Sequence, residues 1–293
     1  MREIALVLNP KAQADPGDRG RSAAENWIAA AGRVGLTPIV VNPAEVTLRS
    51  SRRADEISLG GRPLTLRPEI PTLLLAHRRY PEIVEAIARR QTRHVNRWSA
   101  LVVGSSKASS ERAFALAGIN RPDAELVGSP EAAARLADTR LGWPLVIKFP
   151  EASRGDGVWL AHDRDELTAI WGGIGRFALI AQRYIEAAGQ DRRLFVLGGR
   201  VIAAAERTAP PGEWRANLAL GGQMRAIEPQ IEERELAIRA AGAIGLEWSG
   251  VDLISGPDGP LVLEANAIPS VIGISESSGI DIAGEILRYL VAR

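Results

Sequence analysis

Apolar and polar positions fall into blocks along the chain that separate extended from helical segments. The run Ile4 to Leu8 is apolar throughout and stops at Asn9-Pro10, as a buried strand does. From Ser22 to Val34 apolar positions return at helical spacing, with Trp27 and Ile28 inward, and Pro38 to Val41 is extended again. These segments predict a β-α-β opening. Within Ile57 to Leu66, Gly60-Gly61 sits between two short extended runs and reads as a hairpin, followed by a buried strand from Thr72 to Ala76. A helix from Pro81 to Gln91 carries proline in its first turn, where the missing amide hydrogen costs nothing. A turn-rich segment then precedes Leu101-Val102-Val103, and the first domain is placed at residues 1–97.

The second unit, residues 98–181, begins with two helices, Lys107 to Ala117 closed by Gly118 and Ser129 to Ala137 opened by Ser-Pro-Glu. Its sheet starts with strands Leu145 to Lys148 and Val158 to Leu160 around the loop Phe149 to Gly157. A helix from Asp163 to Ile174 and a strand from Leu179 to Gln182 follow. The third unit, residues 182–293, holds extended runs at Arg193 to Val196 and Val201 to Ala205 and a long helix from Ile231 to Ile244. Strands at Gly250 to Ile254 and Leu261 to Glu264 and a last helix from Ile280 to Val291 complete it. No internal repeat is present.

Composition narrows the functions open to such a chain. Its 293 residues are 46% hydrophobic and 24% charged, enough for two or three small cores. The formal net charge of +1 supplies no summed field for a polyanion, so a nucleic-acid role is not expected. There is no cysteine, which removes disulfides, thiolate nucleophiles and cysteine-ligated metals and makes the cytosol the expected compartment. The five-residue apolar start is too short for a signal core or a membrane span. Of 36 basic residues only Lys11, Lys107 and Lys148 are lysines. Where arginine is accepted nearly everywhere, a retained lysine marks a place that wants a compact ammonium, chance being the competing reading.

Two constellations carry chemistry. In Val146-Ile147-Lys148-Phe149-Pro150-Glu151-Ala152-Ser153-Arg154-Gly155-Asp156-Gly157-Val158 a lysine ends a strand beside a glycine-punctuated turn whose amides can approach phosphate; an ordinary hairpin with a surface lysine is the alternative. It is neither a Walker loop nor a dinucleotide fingerprint. The second is Asp252 with Glu264 and Asn266. Period-two alternation puts Glu264 and Asn266 on one strand face, and an adjacent strand adds Asp252, a set of hard oxygens suited to Mg²⁺ bridging phosphates.

Between them run Gln182-Arg183-Tyr184-Ile185, Asp191-Arg192-Arg193, Glu206-Arg207 and Arg215-Ala216-Asn217-Leu218 with Gly221-Gly222, and near the end Gly279-Ile280-Asp281-Ile282-Ala283. In order and spacing, from about Lys107 to Tyr289, these residues resemble the RimK-type α-L-glutamate ligases of the ATP-grasp superfamily, carboxylate–amine ligases. The fold this resemblance implies is α/β (α+β): an N-terminal α/β pre-ATP-grasp domain, then two α+β lobes that clasp ATP. It implies ATP and Mg²⁺ as cofactors, two ions, with Mn²⁺ as an alternative. Carried over residue by residue, Lys107 and Lys148 contact nucleotide phosphates, and Ser153, Gly155 and Gly157 belong to the phosphate loop. Arg183, Tyr184 and Ile185 form the hinge that reads adenine, Asp191 contacts ribose, and Arg215 with Asn217 lies on the phosphate and metal side. Asp252, Glu264 and Asn266 match the magnesium ligands. Arg193, Arg215 and Lys148 are the implied catalytic groups, with Arg193 near the transferring phosphoryl group or the substrate carboxylate.

The implied reaction is ATP-dependent amide formation through an acyl phosphate, adding a glutamate-like amino acid to a peptide, cofactor or natural-product precursor. Glutamylation of a ribosomal-protein tail, a phosphotransferase and an ATP-binding regulatory module are the rivals. A small-molecule or peptide carboxylate and an amino acid are the expected partners, with no nucleic acid or membrane, in a homodimer or homotetramer. The sequence departs from the family at Arg183, where an acidic residue is common, at Arg154 and Asp156, and over the first hundred residues. His77-Arg78-Arg79 at a strand end is a secondary candidate for a carboxylate site, and solvated loop the alternative. His94 and His162 lack metal-ligand spacing, the clusters Arg49 to Arg53 and Arg89 to Arg93 read as solvated faces, and Trp143, Trp171, Trp214 and Trp248 read as packing residues.

Overall fold

The computed structural model describes residues 2–9, 22–50, 55–151, 157–175 and 177–293. Lys11, Arg52, Arg53, Ser153, Arg154, Gly155 and Asp156 lie outside them. The opening forms as predicted: strand β1 (Arg2–Val7), helix α1 (Ala23–Arg33) and strand β2 (Leu36–Val41), with β1 and β2 parallel. A small antiparallel sheet follows, β3 (Val46–Ser50), β4 (Asp55–Leu59) and β5 (Arg62–Pro63), the last two making the hairpin across Gly60-Gly61. The chain returns to the first sheet with β6 (Thr72–Leu74), passes through α2 (Pro81–Ala88) and adds β7 (His94–Val95), giving the order β2-β1-β6-β7. Leu101-Val102-Val103 falls inside helix α3 (Trp98–Gly104).

Helix α4 (Lys107–Leu116) leads to strand β8 (Ala124–Val127), which the sequence pattern did not reveal, and to α5 (Pro130–Leu136). Strands β9 (Leu145–Lys148) and β10 (Val158–Ala161), helix α6 (Arg164–Ile174) and strand β11 (Leu179–Arg183) complete an antiparallel sheet of order β10-β9-β11-β8. Strands β12 (Gln190–Leu197), β13 (Arg200–Thr208) and β14 (Gln223–Ala226), helix α7 (Ile231–Ile244), and strands β15 (Trp248–Gly256) and β16 (Gly259–Asn266) build a sheet of order β14-β13-β12-β15-β16. Two helices end the chain, α8 (Ile272–Ser278) and α9 (Ile282–Ala292). The last begins two residues later than its apolar pattern suggests because the Asp281 carboxylate accepts the Gly284 amide at 3.1 Å and caps it.

Packing ties the first unit to the third. Phe195 and Trp248 of the five-stranded sheet share a core with Ile4, Leu6 and Trp27 of the first, and Trp27 meets Trp248 edge-on at 5.8 Å. Asn96, fully buried, donates to the carbonyls of Trp248 and Ala267 and accepts from the amides of Glu247 and Trp248, so its whole amide is satisfied across that junction. The sheet of β8 to β11 has a separate core around Leu145, Ile147, Leu167 and Leu179.

Candidate functional site

Strand alternation gives the five-stranded sheet one face that is apolar at one end and charged at the other. On β12 this face carries Phe195 and Leu197 in the core, then Arg193 and Asp191. Arg207 on β13 lies opposite Asp191, Asp252 on β15 opposite Arg193, Glu264 on β16 opposite Asp252, and Asn266 opposite Gly250. The charges pair in sequence. Arg207 donates to both oxygens of Asp191 at 2.6 Å and reaches Asp252 Oδ2 at 3.0 Å, while Arg193 holds both oxygens of Asp252 at 2.7 Å. Asn266 Nδ2 lies 3.5 Å from Asp252 Oδ2. Gly250 is needed beneath them, since a Cβ there would come within 2.9 Å of the Pro269 ring. Burial raises the Asp252 carboxyl, but Arg193 and Arg207 outweigh it and hold it below the usual carboxylate range. At Asp191 burial prevails over Arg207, and the carboxyl titrates above that range.

The sheet of β8 to β11 faces this charged end across an open cleft. Lys148, the last residue of β9 and 9% exposed, lines it together with Lys107 at the start of α4. Lys107 Nζ stands 3.4 Å from Glu264 Oε1. A cation in the first turn of a helix opposes the helix dipole, so a facing anion is required there. Burial pushes the Lys148 ammonium down, and the carboxylates of Glu111 and Glu264 oppose that fall. Glu111, one helical turn after Lys107, accepts from Gln182 at 3.2 Å and faces Arg121 at 3.2 Å. From the other side Arg215 crosses the cleft: its Nη1 donates to the Val158 carbonyl at 3.2 Å and its remaining fork is held by Glu213. Those hydrogen bonds from Arg215 hold the Glu213 carboxyl down to about 2. Tyr184 and Trp214 form the apolar wall, edge to face at 6.0 Å.

The cleft thus gathers Lys107, Lys148, Arg183, Tyr184 and Ile185 with Asp191, Arg215, Asn217, Asp252 and Glu264. Asn217 is kept in place by a tight turn in which a Cβ on Gly222 would sit 2.7 Å from the Ala216 carbonyl oxygen. Three candidates stand off the cleft wall. Arg193 lies against Asp252, Asn266 turns its amide nitrogen to Asp252 and to the Gly250 carbonyl, and the Gly157 carbonyl accepts the Phe149 amide at 2.8 Å to close its loop. Arg183 reaches the cleft although its guanidinium is bound to the Arg140 carbonyl and to Asp123. Trp214 lines the cleft as well as packing. Sequence reasoning assigned no role to Arg207, Glu213 or Glu111. Arg207 was detectable as the cross-strand partner of Asp191 only once the register of β12 and β13 was known, and Glu213 only by its two-residue spacing to Arg215.

Among the described residues no group of three or more His, Cys, Asp and Glu side chains could hold a metal ion. Asp252, Glu264 and Asn266 supply two carboxylates and an amide, and both carboxylates already meet cationic partners. Such a set fits Mg²⁺ arriving with phosphate oxygens, because that ion uses one or two carboxylates and takes its other ligands from the nucleotide and water.

His77, 6% exposed just beyond β6, lies 2.6 Å from Ser105 Oγ through its Nε2. Ser105 Oγ donates to the Leu101 carbonyl, so it accepts from His77, which is neutral with its proton on Nε2. Burial, aided by Arg78, pushes the imidazole down to about 4. The unfolded chain therefore binds a proton between about pH 6.5 and 4 that the folded chain refuses, and stability falls as pH drops through that window, by about 3 kcal/mol. In His77→Gln, urea unfolding at pH 7 and pH 4 should show that difference shrink by this amount; an unchanged difference would show that His77 does not titrate as its burial requires.

Three comparisons extend the geometry. A family profile described as a RimK-like ATP-grasp domain matches residues 104–290. A probable alpha-L-glutamate ligase of Serratia proteamaculans is 36% identical over 202 residues, 68% of this chain and 67% of that protein. The ribosomal protein bS6–L-glutamate ligase of Escherichia coli O139:H28 is 37% identical over 199 residues, 67% of this chain and 66% of that protein. The chain thus spans about two thirds of the length of these relatives. Over its full length it superposes on the ATP-grasp ligase PsnB, solved with a phosphomimetic variant of its minimal precursor, Mg and ADP, at a TM-score of 0.72 and 20% identity, covering 100% of this chain and 98% of that one. Among the described residues no helix is long and apolar enough to cross a membrane.

Proposed function

This chain belongs to the RimK-like ATP-grasp family, its named relatives are L-glutamate ligases, and from that premise we propose that it joins a carboxylate to an amine with ATP through an acyl phosphate. The observation that carries the reading is the single cleft in which two of the three lysines and Arg215 face Asp252 and Glu264. A carboxylate is a poor acyl donor until phosphorylated, and phosphorylation requires two anions to meet. Lys107, Lys148 and Arg215 supply the positive charge that permits it. The lobes 98–181 and 182–293 clasp the nucleotide, beside the pre-ATP-grasp domain 1–97, with adenine against Tyr184, Ile185 and Trp214 and ribose at Asp191. Phosphate contacts are assigned to Ser153, Gly155 and Gly157, with Asn217 beside the phosphates. Magnesium, two ions with manganese as a substitute, would be held by Asp252, Glu264 and Asn266 and would neutralise the β,γ-phosphates.

An oxygen of the substrate carboxylate attacks the γ-phosphorus and ADP departs; the amine then attacks the acyl carbon and phosphate leaves. Arg215 stabilises charge at the transferring group. Arg193 acts from behind Asp252, whose orientation it fixes. The donor pair is a glutamate-like amino acid with a peptide, cofactor or natural-product precursor. The bS6 ligase and the precursor-bound PsnB favour a peptide or protein as one partner. A cytosolic homodimer or homotetramer is the form expected.

Incubation with ATP, Mg²⁺, amino-acid pools and candidate peptides, with hydroxylamine as a trap, tests the proposal. ADP should appear with an amide product, and a hydroxamate when the trap is present. ADP release without either product would exclude ligation.

A further inference from the structure

Resting on that reading of the cleft, we infer that Arg207 is a positioning residue that couples the ribose end of the site to its metal end. Its guanidinium is 2% exposed, and among the described residues it is the one group in contact with both carboxylates: Nε and Nη2 hold Asp191 at 2.6 Å, and the same Nη2 reaches Asp252 Oδ2 at 3.0 Å. Nη2 has two hydrogens, so one serves each acid. The guanidinium is planar and its fork rigid. A shift of Asp191 towards a ribose hydroxyl therefore tilts the plane and changes what Asp252 offers a cation. Neighbouring structure prevents the acids from adjusting independently. Asp252 is fixed on its other side by the Arg193 fork, and Asp191 stands directly opposite Arg207 in the β12–β13 register. No other described contact joins the two acids, so removing the fork leaves Asp252 on the Arg193 guanidinium but no longer linked to Asp191.

Coupling of this kind is reciprocal, so it is measurable by binding alone. Calorimetry on the full chain would compare ADP with its 2′,3′-dideoxy analogue, each with and without Mn²⁺. In the wild type, Mn²⁺ should strengthen ADP binding at least about fivefold more than it strengthens binding of the dideoxy analogue. In Arg207→Lys, which keeps the charge and loses the fork, that ratio should fall to about one. Asp191→Asn, which leaves Arg207 intact and weakens its hold on the ribose end, should lower the ratio as well and serves if the lysine variant does not fold. A merely structural role would reduce all four affinities together and leave the ratio unchanged. A wild-type ratio in a folded Arg207→Lys or Asp191→Asn protein overturns the inference, as does a ratio of one in the wild type. Failure of the wild type to bind either nucleotide would instead overturn the nucleotide reading of the cleft.

Discussion

Replacing Glu264 with alanine should reduce turnover by about a hundred- to a thousandfold while leaving the fold nearly as stable as before. The side chain is 28% exposed, and its contact with Lys107 is a single approach at 3.4 Å, an interaction worth at most about 1 kcal/mol to stability. Its proposed catalytic worth is far larger. With Asp252 already held by two guanidinium groups, Glu264 is the carboxylate at the charged end of the sheet with the greatest freedom to meet a divalent ion. Loss of one preorganised charge partner at the reacting phosphates costs about two to three powers of ten. The alanine also removes one carboxylate that faces Lys107, so phosphate binding should survive better than turnover. Steady-state ADP release and a thermal melt measure the two effects, and turnover within tenfold of wild type would remove Glu264 from the proposed site.

The second large effect is expected from a change that keeps charge. Lys148→Arg should lower kcat/KM about a hundredfold. Lys148 is 9% exposed between the β9–β10 and β9–β11 ladders, with Glu111 and Glu264 as the carboxylates that sustain its protonation. A guanidinium adds volume at a nearly buried position, at a cost of about 1–3 kcal/mol. It also replaces a point charge by a fork whose donors lie elsewhere. Nucleotide affinity and turnover should both fall. Activity within a few-fold of wild type would show that any cation suffices, and the reading of scarce lysine as a chemical requirement would be lost.

Lys107 and Lys148 stand out against 33 arginines, and both reach the cleft. Helix α7 has the limits its pattern gives, because Gly245 ends it in a left-handed turn and the residue before Ile231 forms a capping box with Glu233. Strand β8 escaped notice because four residues, only one of them buried, give no periodic signal, and helix α8 for a similar lack of length. By sequence Trp214 is a packing residue, yet it stands on the cleft wall, a distinction set by which neighbours surround an aromatic ring.

Local sequence determined most of the strands and helices, the alternation that puts acids and arginines on one strand face, and the shared face of Glu264 and Asn266. Those features depend on residues a few positions apart, where backbone geometry alone fixes which side chains share a side. Only the tertiary structure decided that Arg193 supports Asp252, that Arg207 joins Asp191 to Asp252, and that Arg215 spans to the opposite lobe. A pairing between charges depends on strand register and lobe packing, which bring Arg193 to Asp252 across 59 positions, and hydrophobic pattern carries no information about which arginine meets which acid.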